Sequence, residues 1–144
     1  MITIKNILEN IHEKLTIAFP GIEIQSQDMK EGFIRPSFKF YSSDVNVKNG
    51  MKKFRETEAT INIVYFPKHQ EINQEELLDT LEKLNEIFQD NNMLIIKEKI
   101  YIEIEEIDSS IVDKTLYFDF DINFEEEIPV EEKEKTQELV FRRG

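Results

Sequence analysis

A chain of 144 residues that is 40% hydrophobic and 10% aromatic is enough for one domain built around one core. Its formal net charge of −12 argues against a nucleic-acid partner, which needs a basic surface. The absence of cysteine excludes disulfides, thiol chemistry and Cys-ligated zinc, and no run approaches the roughly 20 apolar residues of a membrane-spanning helix.

The first residues show helically spaced apolar positions where a secretory leader would show a charged and then an apolar block. Ile4, Ile7, Leu8, Ile11, Leu15 and Phe19 form one stripe, which predicts a helix from about Thr3 to Phe19, with Thr3 as cap and Pro20-Gly21 as stop. Ile22 to Gln25 reads as a short strand and Gln27 to Arg35 as a polar link. A second strand starts near Pro36, with Phe38 and Phe40 on one side. Asp44 to Lys53 reads as a weakly structured stretch around the Asn49-Gly50 turn signal, flanked by segments able to make a long hairpin. Lys48, Lys52, Lys53 and Arg55 cluster near its tip, the one basic concentration inside an acidic domain. Phe54 to Phe66 continues as a long strand that Pro67 ends.

Asn73 before Gln74-Glu75-Glu76 predicts a second helix start, with Asn73 as cap, Glu76 reaching back and Ile72 stapled on Leu77. Leu77, Leu78, Leu81, Leu84, Ile87 and Phe88 form its stripe, and Asp90-Asn91-Asn92 ends it. Met93 to Ile96 and then Ile100, Ile102 and Ile104 read as strands, with a turn over Asp108 to Lys114. The segment Leu116 to Phe124 is the strongest strand signal in the chain. Leu116, Phe118, Phe120, Ile122 and Phe124 fall on one side, and Tyr117, Asp119, Asp121 and Asn123 on the other. The aspartates require water or a polar partner, so one face of the sheet is expected to stay open. After Phe124 the chain turns highly charged, with Pro129 inside it, and ends on Leu139-Val140-Phe141-Arg142-Arg143.

Motifs for catalysis are missing. His12 and His69 are the only histidines and have no metal-ligand spacing, and no phosphate-binding glycine loop or nucleophile elbow occurs. Asp119 and Asp121, about 7 Å apart along a strand, make a candidate site for a hard cation together with Glu103 or Glu105. A carboxylate-based hydrolase is a weaker alternative.

The order of these parts resembles the phage tail terminator family of tailed phages, prophages and phage-tail-like particles of low-GC Gram-positive bacteria. The resemblance rests on Glu31-Gly32-Phe33-Ile34-Arg35-Pro36-Ser37-Phe38, the basic turn, Tyr65-Phe66-Pro67-Lys68 and the helix from Asn73 to Leu84 in the pattern NxxELLDTLEKL. It implies a structural, non-enzymatic protein without cofactor or metal. Such a protein forms a homo-oligomeric, hexameric ring that caps the tail tube and meets sheath, head connector or collar proteins. It would be assembled in the host cytoplasm into a virion or tail-like particle.

Residue pattern and resemblance together lead to an α+β expectation: a mainly antiparallel sheet of about 4–5 strands with two amphipathic helices packed on one face. Residues 1–127 are expected to form this domain, and 128–144 an extended or disordered tail. Lys48, Lys52, Lys53 and Arg55, the aspartates Asp119 and Asp121, and Phe141, Arg142 and Arg143 are the expected contacts to a neighbouring subunit or to the tube.

Overall fold

The computed structural model describes residues 1–25, 34–49, 53–97 and 100–128. The first helix, α1 (Ile4–Ala18), opens with Thr3, whose side chain accepts from the Asn6 amide at 3.1 Å while Asn6 Oδ1 accepts from the Thr3 amide at 2.9 Å. Two otherwise orphaned donors are thereby satisfied. Ile7, Ile11 and Leu15 are fully buried; the helix ends at Ala18 with Phe19 as its cap, and in the turn that follows Gly21 adopts a φ of +85°, a conformation that L side chains rarely take.

Next come β1 (Glu23–Gln25), β2 (Ser37–Asn49) and β3 (Phe54–Phe66), then α2 (Gln74–Phe88), β4 (Met93–Ile96), β5 (Ile100–Val112) and β6 (Thr115–Glu127). The six strands form one sheet in the order β1-β2-β3-β6-β5-β4. The expected antiparallel sheet of 4–5 strands under two helices is therefore wrong. The sheet has six strands, is mixed because β1 runs parallel to β2, and curls into a half-barrel, and strand is the dominant structure of the chain.

Two causes account for the difference. First, strands outrun their own sequence signal when a neighbour supplies the ladder. Residues 108–112, expected in a turn, pair with β6 from Asp108↔Asp119 to Val112↔Thr115. The turn shrinks to Asp113 and Lys114, with φ of 50° and 59°, the positive values of a two-residue hairpin loop whose twist matches its strands. Likewise β2 runs to Asn49 through the stretch expected to be weakly structured. Second, the register slips by one residue in each outer long strand. One slip lies between Ser43 and Asn46 in β2, where Asp44 has a φ of 52°, and one between Glu105 and Asp108 in β5, where Glu106 has a φ of 48°. Each extra residue bends its strand and increases the local twist, so a sheet carrying both curls.

One core cluster joins the inward residues of both helices to the inward faces of the strands. Phe88, the last residue of α2, packs on Phe118 and Phe120 at centroid distances of 5.9 and 5.2 Å. Phe19, just past α1, packs on Phe38 at 4.7 Å, and Phe38 on Tyr65 at 4.9 Å. Tilted ring pairs of this kind add about 0.5–1.5 kcal/mol each beyond the area they bury.

The start of α2 differs from expectation. Asn73 makes no side-chain cap and instead donates to the carbonyls of His69 and Lys114, at 2.9 and 3.1 Å. Glu76 turns away from the helix and accepts from the Tyr65 hydroxyl at 2.7 Å and from the amides of Lys68 and His69 at 2.6 and 3.2 Å. Ile72 is 90% exposed, so it does not staple on Leu77. The loop from Pro67 is anchored by polar contacts rather than by an apolar one.

Candidate functional site

Strand alternation gives the sheet a second face, directed away from the core, and pairing register places its residues in rows. One row runs Ser43, Thr60, Asp121, Glu105 across β2, β3, β6 and β5; the next runs Tyr41, Asn62, Asp119, Asp108. Asp121 accepts from the Thr60 hydroxyl at 2.8 Å, and Asn62 donates to the Ser43 hydroxyl at 2.8 Å. Burial pushes the Asp119 carboxyl above its usual range, and the neighbouring charges of Asp108 and Asp121 add to the effect. The acidic rows thus carry repulsion that a cationic partner would relieve.

The sequence pattern predicts Glu103 or Glu105 beside the aspartates. Glu105 does pair with Asp121, but the residue opposite Asp119 is Asp108. Alternation from Glu105 would bring Ile107 to that position; the bulge at Glu106 shifts the order by one. The Ile111-Val112 pair ahead of a two-residue turn was the one sequence sign that the strand reached so far. Among the described residues no group of three or more histidine, aspartate or glutamate side chains is placed to hold a metal ion. Asp44, Glu58, Glu105, Glu106 and Asp121 line one concavity.

The basic cluster is divided. Lys48 lies on the same face as Glu56 and Glu58 of β3 and pairs with both at 3.5 Å, and these two charges raise its pKa. Lys53 is exposed in the turn before β3, with a φ of 74°, and its carbonyl accepts from the Ile128 amide. Arg55 pairs in register with Asn49 and Glu126, on the opposite face of the arm from Lys48, and its Nε is buried without a hydrogen-bond partner among the described residues. Glu126 also accepts from the Ile2 amide through both oxygens, at 3.0 and 3.1 Å, which ties the N-terminus to the end of β6. Lys52, Phe141, Arg142 and Arg143 lie outside the described residues.

The two histidines lie apart, one on α1 and one in the loop before α2. His12 is exposed on α1 with its ring 5.9 Å from Phe40, and the His69 amide donates to Glu76. The Glu76 contacts were not anticipated. Burial works against ionisation of this carboxyl, but the bonds from Tyr65, Lys68 and His69 outweigh it and hold its pKa below the usual range. Burial, followed by the bond to Glu76, drives the Tyr65 hydroxyl well above its ordinary value. A pair with one member fixed as an anion and the other fixed as a neutral donor clamps two elements together and has no group poised for proton transfer near neutrality.

A family model described as phage tail terminator protein matches residues 6–135. No curated protein matches the chain.

Proposed function

Because the chain belongs to the phage tail terminator protein family, we propose that it closes the end of a tail tube as a ring of six copies and presents its other side to a head connector or collar. The family is one of virion structural proteins that complete the tail and interact with other tail proteins. In this reading the protein works by shape and charge and carries out no reaction.

The observation that carries the proposal is the acidic outer face of the sheet. Asp119, Asp108 and Asp121 lie together there, and burial first, then the charges of Asp108 and Asp121, makes Asp119 the more easily protonated. A head-to-tail ring needs two unlike, complementary surfaces on every copy. The acidic face is one, and the arm carrying Lys52, Lys53 and Arg55 is the other, directed at a neighbouring copy or at the tube. Beyond Ile128 the chain, with Phe141, Arg142 and Arg143 near its end, docks on a further partner of the particle.

The test is charge reversal at Lys52→Glu and Lys53→Glu, with assembled particles imaged and the melting temperature followed alongside. Loss of capped tube ends at an unchanged melting temperature is the expected result. Normally capped tubes would remove the arm from the interface. Trimming residues 129–144 is expected to weaken incorporation into the particle, and intact particles would assign that segment no role in assembly.

A further inference from the structure

The outer long strands are paired along only part of their outer edges. Among the described residues β1 pairs with β2 only from Ser37 to Lys39, and β4 pairs with β5 only from Ile100 to Glu103. Beyond those points, on the side away from the sheet, no described strand pairs with Phe40–Asn49 of β2 or Ile104–Val112 of β5, although the Ile104 amide still donates to the Asn92 carbonyl at 2.8 Å. Exposed edges of this kind are templates for a further strand.

The two free edges are unlike. On Phe40–Asn49 of β2 the charges of Asp44 and Lys48 cancel, whereas Ile104–Val112 of β5 carries Glu105, Glu106 and Asp108, a net −3. Each also leaves apolar residues uncovered: Val45 and Val47 are 47% and 51% exposed, and Ile111 is 44% exposed. Two β5 edges brought together would oppose like charges, whereas β2 offers β5 an edge without net charge whose Lys48 can stand against an aspartate.

We propose that the β2 edge of one copy pairs antiparallel with the β5 edge of the next, Val45–Asn49 against Ile107–Ile111. In the register that sets Lys48 opposite Asp108, Asn46 stands opposite Ser110 and Val45 reaches Ile111. Lys48, which within its own copy pairs with Glu56 and Glu58, then adds positive charge at the end of the Asp119–Asp108 row, next to the row of Asp121. A slip of one residue would turn Lys48 to the other face and lose the match. The contact is head-to-tail, since each copy gives one edge and receives the other, so it propagates around a ring or along a helix. It rests on the ring reading above and supplies the contact which that reading leaves open.

The chain has no cysteine, so engineered ones report without background. Asn46→Cys and Ser110→Cys place thiols on exposed positions of the two edges, within disulfide reach in the proposed register. The full-length single variants are mixed and oxidised, and the double variant is oxidised in assembled particles; their melting temperatures are checked against the unmodified chain. Expected are a disulfide-linked dimer in the mixture, none from either variant alone, and a ladder reaching six copies from the double variant. Dimers from Asn46→Cys alone would mean like-with-like pairing and would overturn the proposal. Particles that show a six-copy ring but yield no linked product would overturn edge pairing and leave the ring standing. Particles without such a ring would remove both.

Discussion

The described elements, from Ile4 to Glu127, fall into two successive halves with the same parts. The first runs α1, β1, β2, β3 and the second α2, β4, β5, β6; each has a helix of 15 residues, a short strand and two strands of 13 residues. The sheet order is symmetric about the seam where β3 meets β6, and each half places its bulge in its outer long strand. The halves part company in two respects. The short strand is parallel to its neighbour in the first and antiparallel in the second, because eleven residues separate β1 from β2 and only three separate β4 from β5. A three-residue link can only turn the chain back on itself, whereas a long one can carry it across to run in the same direction. The outer strands also differ in charge. The framework is thus held in common, and the differences sit at the edges, where a partner would meet them.

Equivalent core positions should therefore respond alike. Ile7 and Leu77 are each the fourth residue of their helix, with 0% and 1% exposure. Ile7→Ala and Leu77→Ala should each lower stability by about 2–5 kcal/mol in denaturant unfolding, through lost burial and the cavity left behind. A large effect in one helix alone would show that the halves do not share the core equally.

The third residue of each helix separates them next. Asn6 closes a capping box within α1, whereas Glu76 joins α2 to β3 and the following loop. Asn6→Ala should cost about 0.5–2 kcal/mol, as cap losses do. Glu76→Ala should cost about 1–3 kcal/mol, because it leaves three donors without their acceptor. Because the Glu76 pKa is depressed in the folded chain, its contribution is present above the unfolded carboxylate value and is lost as pH falls through the folded one. Unfolding of Glu76→Gln across pH 3–7, roughly the carboxylate range, should lose that dependence; an unchanged profile would deny the clamp.

Asp119 has the opposite sign and the smallest effect. Its raised pKa means that the folded chain holds the proton more readily than the unfolded chain, so ionised Asp119 costs stability once pH exceeds its folded value. Asp119→Asn should raise the melting temperature at pH 7, and the gain should disappear as pH falls below the unfolded carboxylate value. A fall in melting temperature at neutral pH would mean that the outer face is not under charge strain.

Both helices, the long strand from Phe54 and the strand through Leu116–Phe124 were legible in the sequence, because each repeats an apolar residue at its own period over enough positions to be unambiguous. The acidic face was legible for the same reason, since Asp119 and Asp121 must lie opposite Phe118 and Phe120. The reach of β5 to Val112 was not, because Asp108-Ser109-Ser110 carries no strand pattern and is held extended by the ladder that β6 offers. Nor was the partner of Asp119, which depends on one bulged residue at Glu106 changing the parity of everything after it. The turning of Glu76 from its own helix to Tyr65 likewise needed a contact between residues brought together by the fold. Periodicity is a local property and settles which side of an element is apolar. Register, bulges and strand direction are settled between elements, by hydrogen bonds and link lengths that appear only once the chain has folded.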